Sequence, residues 1–312
     1  MIVDTHCHPF FGNMIENEDA FRLMIPMLTN CASKMGETVD ADTLVKRAKE
    51  ITFDRTGKSM IESMDKAGID VAVLLMVEGP VPTDDENKIA GQIARNYPDR
   101  VVALAGMDPR NQEAPDQLRK CFEEYGCRGL KYHADFGFDP GSPESYKLLE
   151  IVAANDGILV SHTGPLGGMM RSSMADVSRL ADVLVDFPQL PVVAAHVGLY
   201  NWRPWASLAA FHDNLYGDLS MWDLIAFGNH PFFCRELRDL IDCAGISKIT
   251  FGTDDPFQIT LRPTREWVGM IQNLPQDAPE GVEFSEEEVA AILGGNAVQL
   301  LGLRQEGVTR GN

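Results

Sequence analysis

Eight short aliphatic or β-branched runs alternate along the chain with longer stretches in which apolar residues recur every three or four positions. The runs are Ile2–Thr5, Val71–Met76, Val101–Ala105, Gly129–Tyr132, Ile158–Ser161, Val192–Ala195, Leu215–Leu219 and Lys248–Phe251. Most are continuously apolar rather than alternating, the pattern of parallel strands covered on both faces. The stretches between them read as helices: Ser59–Ala67, Glu86–Tyr97, Pro115–Tyr125, Pro143–Asn155, Ala175–Val185, Pro231–Ala244, Thr264–Asn273 and Ser285–Ile292. Pro115 and Pro143 suit a first helical turn, and Ser285 with Glu288 forms a capping-box pair. Eight strands, each followed by helical sequence, predict an α/β fold: a closed (β/α)8 TIM barrel forming one domain over residues 1–312. An open doubly wound sheet is the rival, but it ordinarily places a glycine-rich phosphate loop after its first strand. Here the first strand runs into Thr5-His6-Cys7-His8. Residues 9–55 are too long for one strand-to-helix connection and predict a helical insertion near the barrel mouth, with Ala41–Ile51 among its helices.

Composition narrows the class. With 45% hydrophobic and 23% charged residues, the 312-residue chain can bury a large core without staples. Its 27 Lys+Arg against 46 Asp+Glu give a net charge of −19, which argues against nucleic acid or anionic membrane as partners. The six cysteines, Cys7, Cys31, Cys121, Cys127, Cys234 and Cys243, include no Cys-x-x-Cys pair. That spacing predicts neither a zinc knuckle nor a disulfide framework. The start of the chain lacks a basic segment followed by an apolar one, and no apolar run approaches 18 residues. The sequence therefore predicts a cytoplasmic protein with neither a signal peptide nor a membrane span.

Candidate chemistry gathers at the ends of the runs. Seven histidines are present, and two of them, His6 and His8, end the first strand. Cys7 between them is expected to point away, because successive strand side chains alternate. His162 closes the fifth run, His196 closes the sixth, and Asp254 lies just past the eighth. Taken singly, such a histidine is a hydrogen-bonded structural residue and such an aspartate a turn or cap residue. Five of them at the same end of four strands point instead to the face where barrel enzymes keep their active sites. Imidazole and carboxylate together suit zinc, with manganese, iron or nickel as alternatives, and an open position beside three or four protein ligands describes a catalytic site.

The ordered pieces Val3-Asp-Thr-His-Cys-His8, Gly129-Leu-Lys-Tyr-His133, Val160-Ser-His-Thr-Gly164, Ala194-Ala-His-Val-Gly198, Phe251-Gly-Thr-Asp-Asp-Pro256 and Ile292-Leu-Gly-Gly-Asn-Ala297 resemble the amidohydrolase superfamily. The branch they resemble is the amidohydrolase-related one that includes aminocarboxymuconate-semialdehyde decarboxylase. The resemblance runs over nearly the whole chain and is weakest at residues 10–55. It implies a divalent metal held by His6, His8, His162 and Asp254, one ion rather than two, with Asp254 doubling as general base. It implies that His196 polarises substrate or water, or else binds a second ion. Lys131 is then either a carboxylated bridge between two ions, an ion-pair partner under the site, or a direct ligand of a substrate carboxylate. His133, Arg171, Trp202, Arg203 and Trp222 are candidates to contact substrate, and Phe10, Phe11, Trp205 and Met221 share the predicted mouth loops. Tyr200, Asp218 and Asp255 are candidates to orient imidazoles. The implied activity is hydrolysis of a small amide, lactam or lactone by a metal-activated water. The alternative is non-oxidative decarboxylation of an unsaturated or aromatic acid, which an inward Arg171 or Arg203 would favour. The expected partner is a small-molecule substrate, and a homodimer is compatible with the family.

Overall fold

The computed structural model describes residues 1–8, 22, 25–50, 54–77, 84–166, 170–256 and 260–303. Its eight strands are β1 (Val3–Cys7), β2 (Val71–Leu75), β3 (Val101–Gly106), β4 (Gly129–Tyr132), β5 (Ile158–His162), β6 (Val192–Ala195), β7 (Leu215–Asp218) and β8 (Ile249–Thr250). They lie in sequence order in one sheet, and every neighbouring pair is parallel. The sheet closes on itself. Thr5 donates its N–H to the Phe251 carbonyl at 2.9 Å, Asp254 donates to that of His6 at 2.8 Å, and His8 donates to that of Asp255 at 2.7 Å.

The helices are α1 (Ile25–Lys34), α2 (Ala41–Glu50), α3 (Lys58–Ala67), α4 (Asp84–Asn96), α5 (Ala114–Lys120), α6 (Pro143–Ala154), α7 (Ala181–Asp186), α8 (Arg203–Ala209), α9 (Asp223–Gly228), α10 (His230–Ala244), α11 (Thr264–Gln272), α12 (Leu274–Asp277), α13 (Glu286–Ala290) and α14 (Asn296–Leu301). The expected capping box opens α13, with both reciprocal bonds made by Ser285 and Glu288. The single helix predicted over Ala175–Val185 is instead a 3₁₀ turn, Val177–Leu180, capped by Asp176 and running into α7. Helices α1, α8, α9 and α14 have no counterpart in the sequence pattern. Of these, α8, α9 and α14 span six or seven residues, too short to carry a clear 3.6-residue period. Of the predicted insertion, α1 and α2 are described. They bury Ile25, Leu28, Ala32, Leu44, Val45 and Ala48 against Leu261, and Glu37 pairs with Arg262 at 3.0 Å. Phe10 and Phe11 lie outside the described residues.

Two cores result. An outer layer between strands and helices contains Ala72, Leu74, Leu130, Leu159, Ala194 and Phe251. The barrel interior is lined by Val3, Val71, Val73, Leu75, Val102, Val160 and Val193, and Ala297, Val298 and Leu301 of α14 pack against it. Position parity along each strand separates the two layers. On β1 that parity breaks. Val3 belongs to the interior core and Cys7, four residues on, to the outer one. The register slips between Asp4 and Cys7, a bulge that re-aims the strand end. Among the described residues no helix is long and apolar enough to cross a membrane.

Candidate active site

The bulge on β1 turns His6 and His8 inward together, since residues two apart share a strand face. Asp4 pins it: its carboxylate accepts from the His6 N–H at 3.0 Å, the Thr253 N–H at 3.0 Å and the Thr253 hydroxyl at 2.6 Å. The two strand ends that must meet, β1 and the segment after β8, are thereby clasped from one residue.

Hydrogen-bond acceptors behind each imidazole settle where its proton lies. His8 Nδ1 is 2.8 Å from the Leu75 carbonyl, which can only accept, so Nδ1 carries the proton. His6 Nδ1 is 2.9 Å from Asp218 Oδ2, with the same consequence. Both Nε2 atoms are then the ring nitrogens turned to the cluster, and they stand 3.1 Å apart. Asp254 Oδ1 joins them, 3.4 Å from His6 Nε2 and 3.2 Å from His8 Nε2. The three atoms converge, with Lys131 Nζ 3.3 Å from His6 Nε2 beside them, in an arrangement that a divalent cation would satisfy. These three side chains satisfy the spacing of a metal site, and their mixture of nitrogen and oxygen fits a borderline divalent ion. His6, His196 and Asp218 also fall within ligand spacing. Asp218, however, is already committed: Oδ2 to His6, and Oδ1 to the His196 N–H at 3.0 Å, the Ser220 N–H at 3.0 Å and the Ser220 hydroxyl.

His162 and His196 stand beside this cluster. His196 lies just past β6 in a left-handed turn, with φ of 63°. Its Nδ1 faces the Ser220 hydroxyl at 2.7 Å and the Ser220 carbonyl at 3.2 Å. The proton therefore sits on Nδ1, and Nε2 is an acceptor. That Nε2 is 3.1 Å from His162 Nδ1, and the His6 and His196 rings are 4.8 Å apart.

Burial disfavours charge on His6, His162 and His196. For His6 it is the largest cause and the Lys131 charge the next, together holding the ring well below the usual imidazole range. His196 is lowered by burial and by His6, and His162 by burial and by His133. Asp254 is pushed up by burial, but the His8 contact and its neighbours His6, His8 and Lys131 outweigh that and hold it below the usual carboxylate range. Lys131 is 1% exposed, with Nζ 3.3 Å from His6 Nε2. Burial pushes its amine down to about 8 against the opposing pull of Asp218, Asp254 and Asp135.

The remaining predicted residues divide. His133 is brought to the site: its ring stacks on His162 at 4.6 Å and 7°, and its Nδ1 bonds Asp135. Trp222 is fully buried and gives its indole N–H to the His196 carbonyl at 2.9 Å, holding that residue's backbone. Trp202 donates to Glu236 at 2.6 Å, and Arg203 lies over the Trp202 ring at 4.4 Å and 3.6 Å from Glu236. These two are engaged with α10 rather than with the histidines. Arg171 is exposed, and its backbone N–H bonds the Asp135 carbonyl at 2.7 Å. Of the orienting candidates, Asp218 holds His6. Tyr200 is 56% exposed, and Asp255 accepts from the Thr264 hydroxyl at 2.5 Å. Asp4, Asp135 and Ser220 escaped the sequence reading, since nothing local marks an acid or a serine whose partner is a histidine on another strand.

Comparison with known proteins follows the same line. Residues 3–303 match a family profile described as amidohydrolase. No curated protein sequence matches the chain. Among solved structures, an uncharacterized TIM-barrel protein from Bordetella bronchiseptica is 20% identical with a TM-score of 0.69, covering 97% of this chain and 98% of that one. A 2,6-dihydroxybenzoate decarboxylase in complex with 2,6-dihydroxybenzoate is 18% identical with a TM-score of 0.66, covering 97% and 99%. A probable 2-pyrone-4,6-dicarboxylic acid hydrolase from Acinetobacter baumannii is 17% identical with a TM-score of 0.64, covering 96% and 99%.

Proposed function

Since the chain belongs to the amidohydrolase family of metal-dependent enzymes, we propose that it hydrolyses a small organic substrate, an amide, lactam or lactone, at the barrel mouth. The observation that carries this reading is the meeting of His6 Nε2, His8 Nε2 and an ionised Asp254 oxygen within 3.4 Å of one another. His6, His8 and Asp254 would hold one divalent ion with His162, and zinc suits the set best. Such an ion supplies a Lewis acid that polarises the scissile carbonyl and acidifies water. Asp254, ionised and reachable, accepts the proton of the attacking water and returns it to the leaving group. His196 presents a lone pair at Nε2, so as a neutral ring it accepts a hydrogen bond from the water or substrate. Lys131 supplies positive charge beneath His6.

Decarboxylation is the second reading, and the decarboxylases of 2,6-dihydroxybenzoate and 5-carboxyvanillate among the similar folds favour it. That reaction asks for a cation on the substrate carboxylate. Arg203 is turned to Glu236 and Arg171 is exposed, which leaves Lys131, 3.3 Å from His6 Nε2, as the side-chain cation at the histidines among the described residues. The test is turnover of lactones, lactams, amides and carboxylated aromatics by zinc- or manganese-loaded protein in H₂¹⁸O. Hydrolysis places one ¹⁸O in the product acid and releases no CO₂, and Asp254→Asn abolishes it. Release of CO₂ with solvent hydrogen on the product carbon would replace this reading with the second.

A further inference from the structure

Asp135 faces two imidazoles at once. Its Oδ1 accepts from His133 Nδ1, and its Oδ2 lies 3.8 Å from His162 Nε2. Asp135 is fully buried and His162 is 2% exposed, yet these two facing atoms have no hydrogen-bond partner. Buried polar atoms are costly to leave so, and the economical resolution is that each is the other's partner. The His133 ring lies flat on His162, 4.6 Å away, so the carboxylate and the stacked ring hold His162 from two sides. The opposite nitrogen, Nδ1, is the one that turns toward His196. The arrangement repeats the logic of β1, where Asp218 stands behind His6 and the Leu75 carbonyl behind His8.

Resting on the metal-centre reading above, we infer that Asp135 is a positioning residue: it takes the Nε2–H of His162 and so presents the Nδ1 lone pair to the cluster. The reverse tautomer would bond His196 Nε2 at 3.1 Å but set a lone pair against a carboxylate oxygen, so it is the ion-bound form that needs the Nε2–H. Such partners behind a ligating histidine fix its ring and raise its basicity, and their loss typically weakens metal binding 10- to 100-fold. Asparagine cannot replace the acid. Both rings offer Asp135 an N–H, and an amide has one acceptor arm and one donor arm, so one ring loses its partner.

The experiment measures zinc affinity by chelator competition in the wild type, Asp135→Asn, Asp135→Ala and His133→Ala. It is paired with NMR of ¹⁵N-labelled histidine in the zinc-loaded proteins. We expect both Asp135 variants to bind zinc about 10- to 100-fold more weakly, Asp135→Ala to lose the low-field, slowly exchanging Nε2–H of His162, and Asp135→Asn to lose either that resonance or the Nδ1–H of His133. His133→Ala, which leaves the carboxylate in place, should keep the His162 resonance and lose less affinity. The isosteric Asp135→Asn keeps the test alive if the alanine variant fails to fold. Wild-type affinity and unchanged resonances in a folded Asp135 variant would overturn the inference, even if its melting temperature falls. So would an affinity loss in His133→Ala equal to that in Asp135→Ala. A wild type that binds no zinc contradicts the metal-centre reading itself, and the wild-type arm alone reveals that outcome.

Discussion

His6 shares one proton between two nitrogens, and Asp218 decides where it sits. With the proton on Nδ1, the Nε2 lone pair faces His8 Nε2 and Asp254. An amide at 218 can keep its oxygen toward the Ser220 and His196 N–H groups only by turning its NH₂ toward His6. That would drive the His6 proton onto Nε2, into the cluster. Asp218→Asn should therefore weaken zinc binding about 10- to 100-fold while leaving the fold intact, measured by chelator competition and circular dichroism. Lys131 carries a pH signature. Its folded-state pKa, about 8, lies below its unfolded value, so between pH 8 and 10.5 the unfolded chain binds more protons and stability rises with pH. The metal-free wild type should gain up to about 3 kcal/mol over that window relative to Lys131→Met, and no relative gain below pH 8. Urea unfolding at pH 7.5 and 10.5 reads this directly, and a flat difference would contradict it. The ligand candidates His6, His8, His162, His196 and Asp254 were legible in the sequence because each closes an apolar run. Asp218 was legible as a candidate to orient an imidazole but not as the partner of His6, and Ser220 and Asp135 were not legible, because all three act through partners on other strands that only the closed sheet brings together. The tryptophans and Arg203 looked like pocket residues because loop position alone cannot separate a side chain lining a mouth from one packing its rim.

At the scale of elements, the turn after β6 sets the position of His196. His196, Val197, Gly198 and Leu199 all have positive φ, from 43° to 78°, a conformation costly for a β-branched valine. The surroundings hold it there: Val197 is fully buried, and Trp222 grips the His196 carbonyl. The adjoining β7 must approach closely. A Cβ at Gly217 would stand 2.1 Å from Val197 Cγ1 and 2.9 Å from the Trp205 ring. Gly217→Ala should cost about 1–3 kcal/mol and lower activity further by displacing His196, seen as a lower melting temperature together with a lower kcat. A variant with wild-type stability and kcat would mean that the turn does not depend on this packing. The strands were legible because burial on both faces leaves unbroken apolar runs. The short helices were not, because six or seven residues against a neighbour hold their shape by contact rather than by period. The β1 bulge has no sequence mark beyond Asp4, whose bonds to Thr253 exist only after the barrel closes.

At the scale of the molecule, the interior is divided by height. Valines fill the lower barrel against α14, and above them stand His6, Lys131, His162, Asp218 and Asp254, buried and polar. Such a polar floor is one that a divalent cation would satisfy, so ion binding should be linked to folding. Zinc at 100 times its dissociation constant should stabilise the protein by about 2.7 kcal/mol, and a chelator should lower the melting temperature accordingly. The most direct test of the central claim is metal content per chain, by elemental analysis after zinc or manganese loading and dialysis. The wild type should hold about one ion, and a His6→Ala, His8→Ala double variant close to none. A folded wild type that takes up no ion, or a double variant that keeps a full complement, would contradict the assignment of this site.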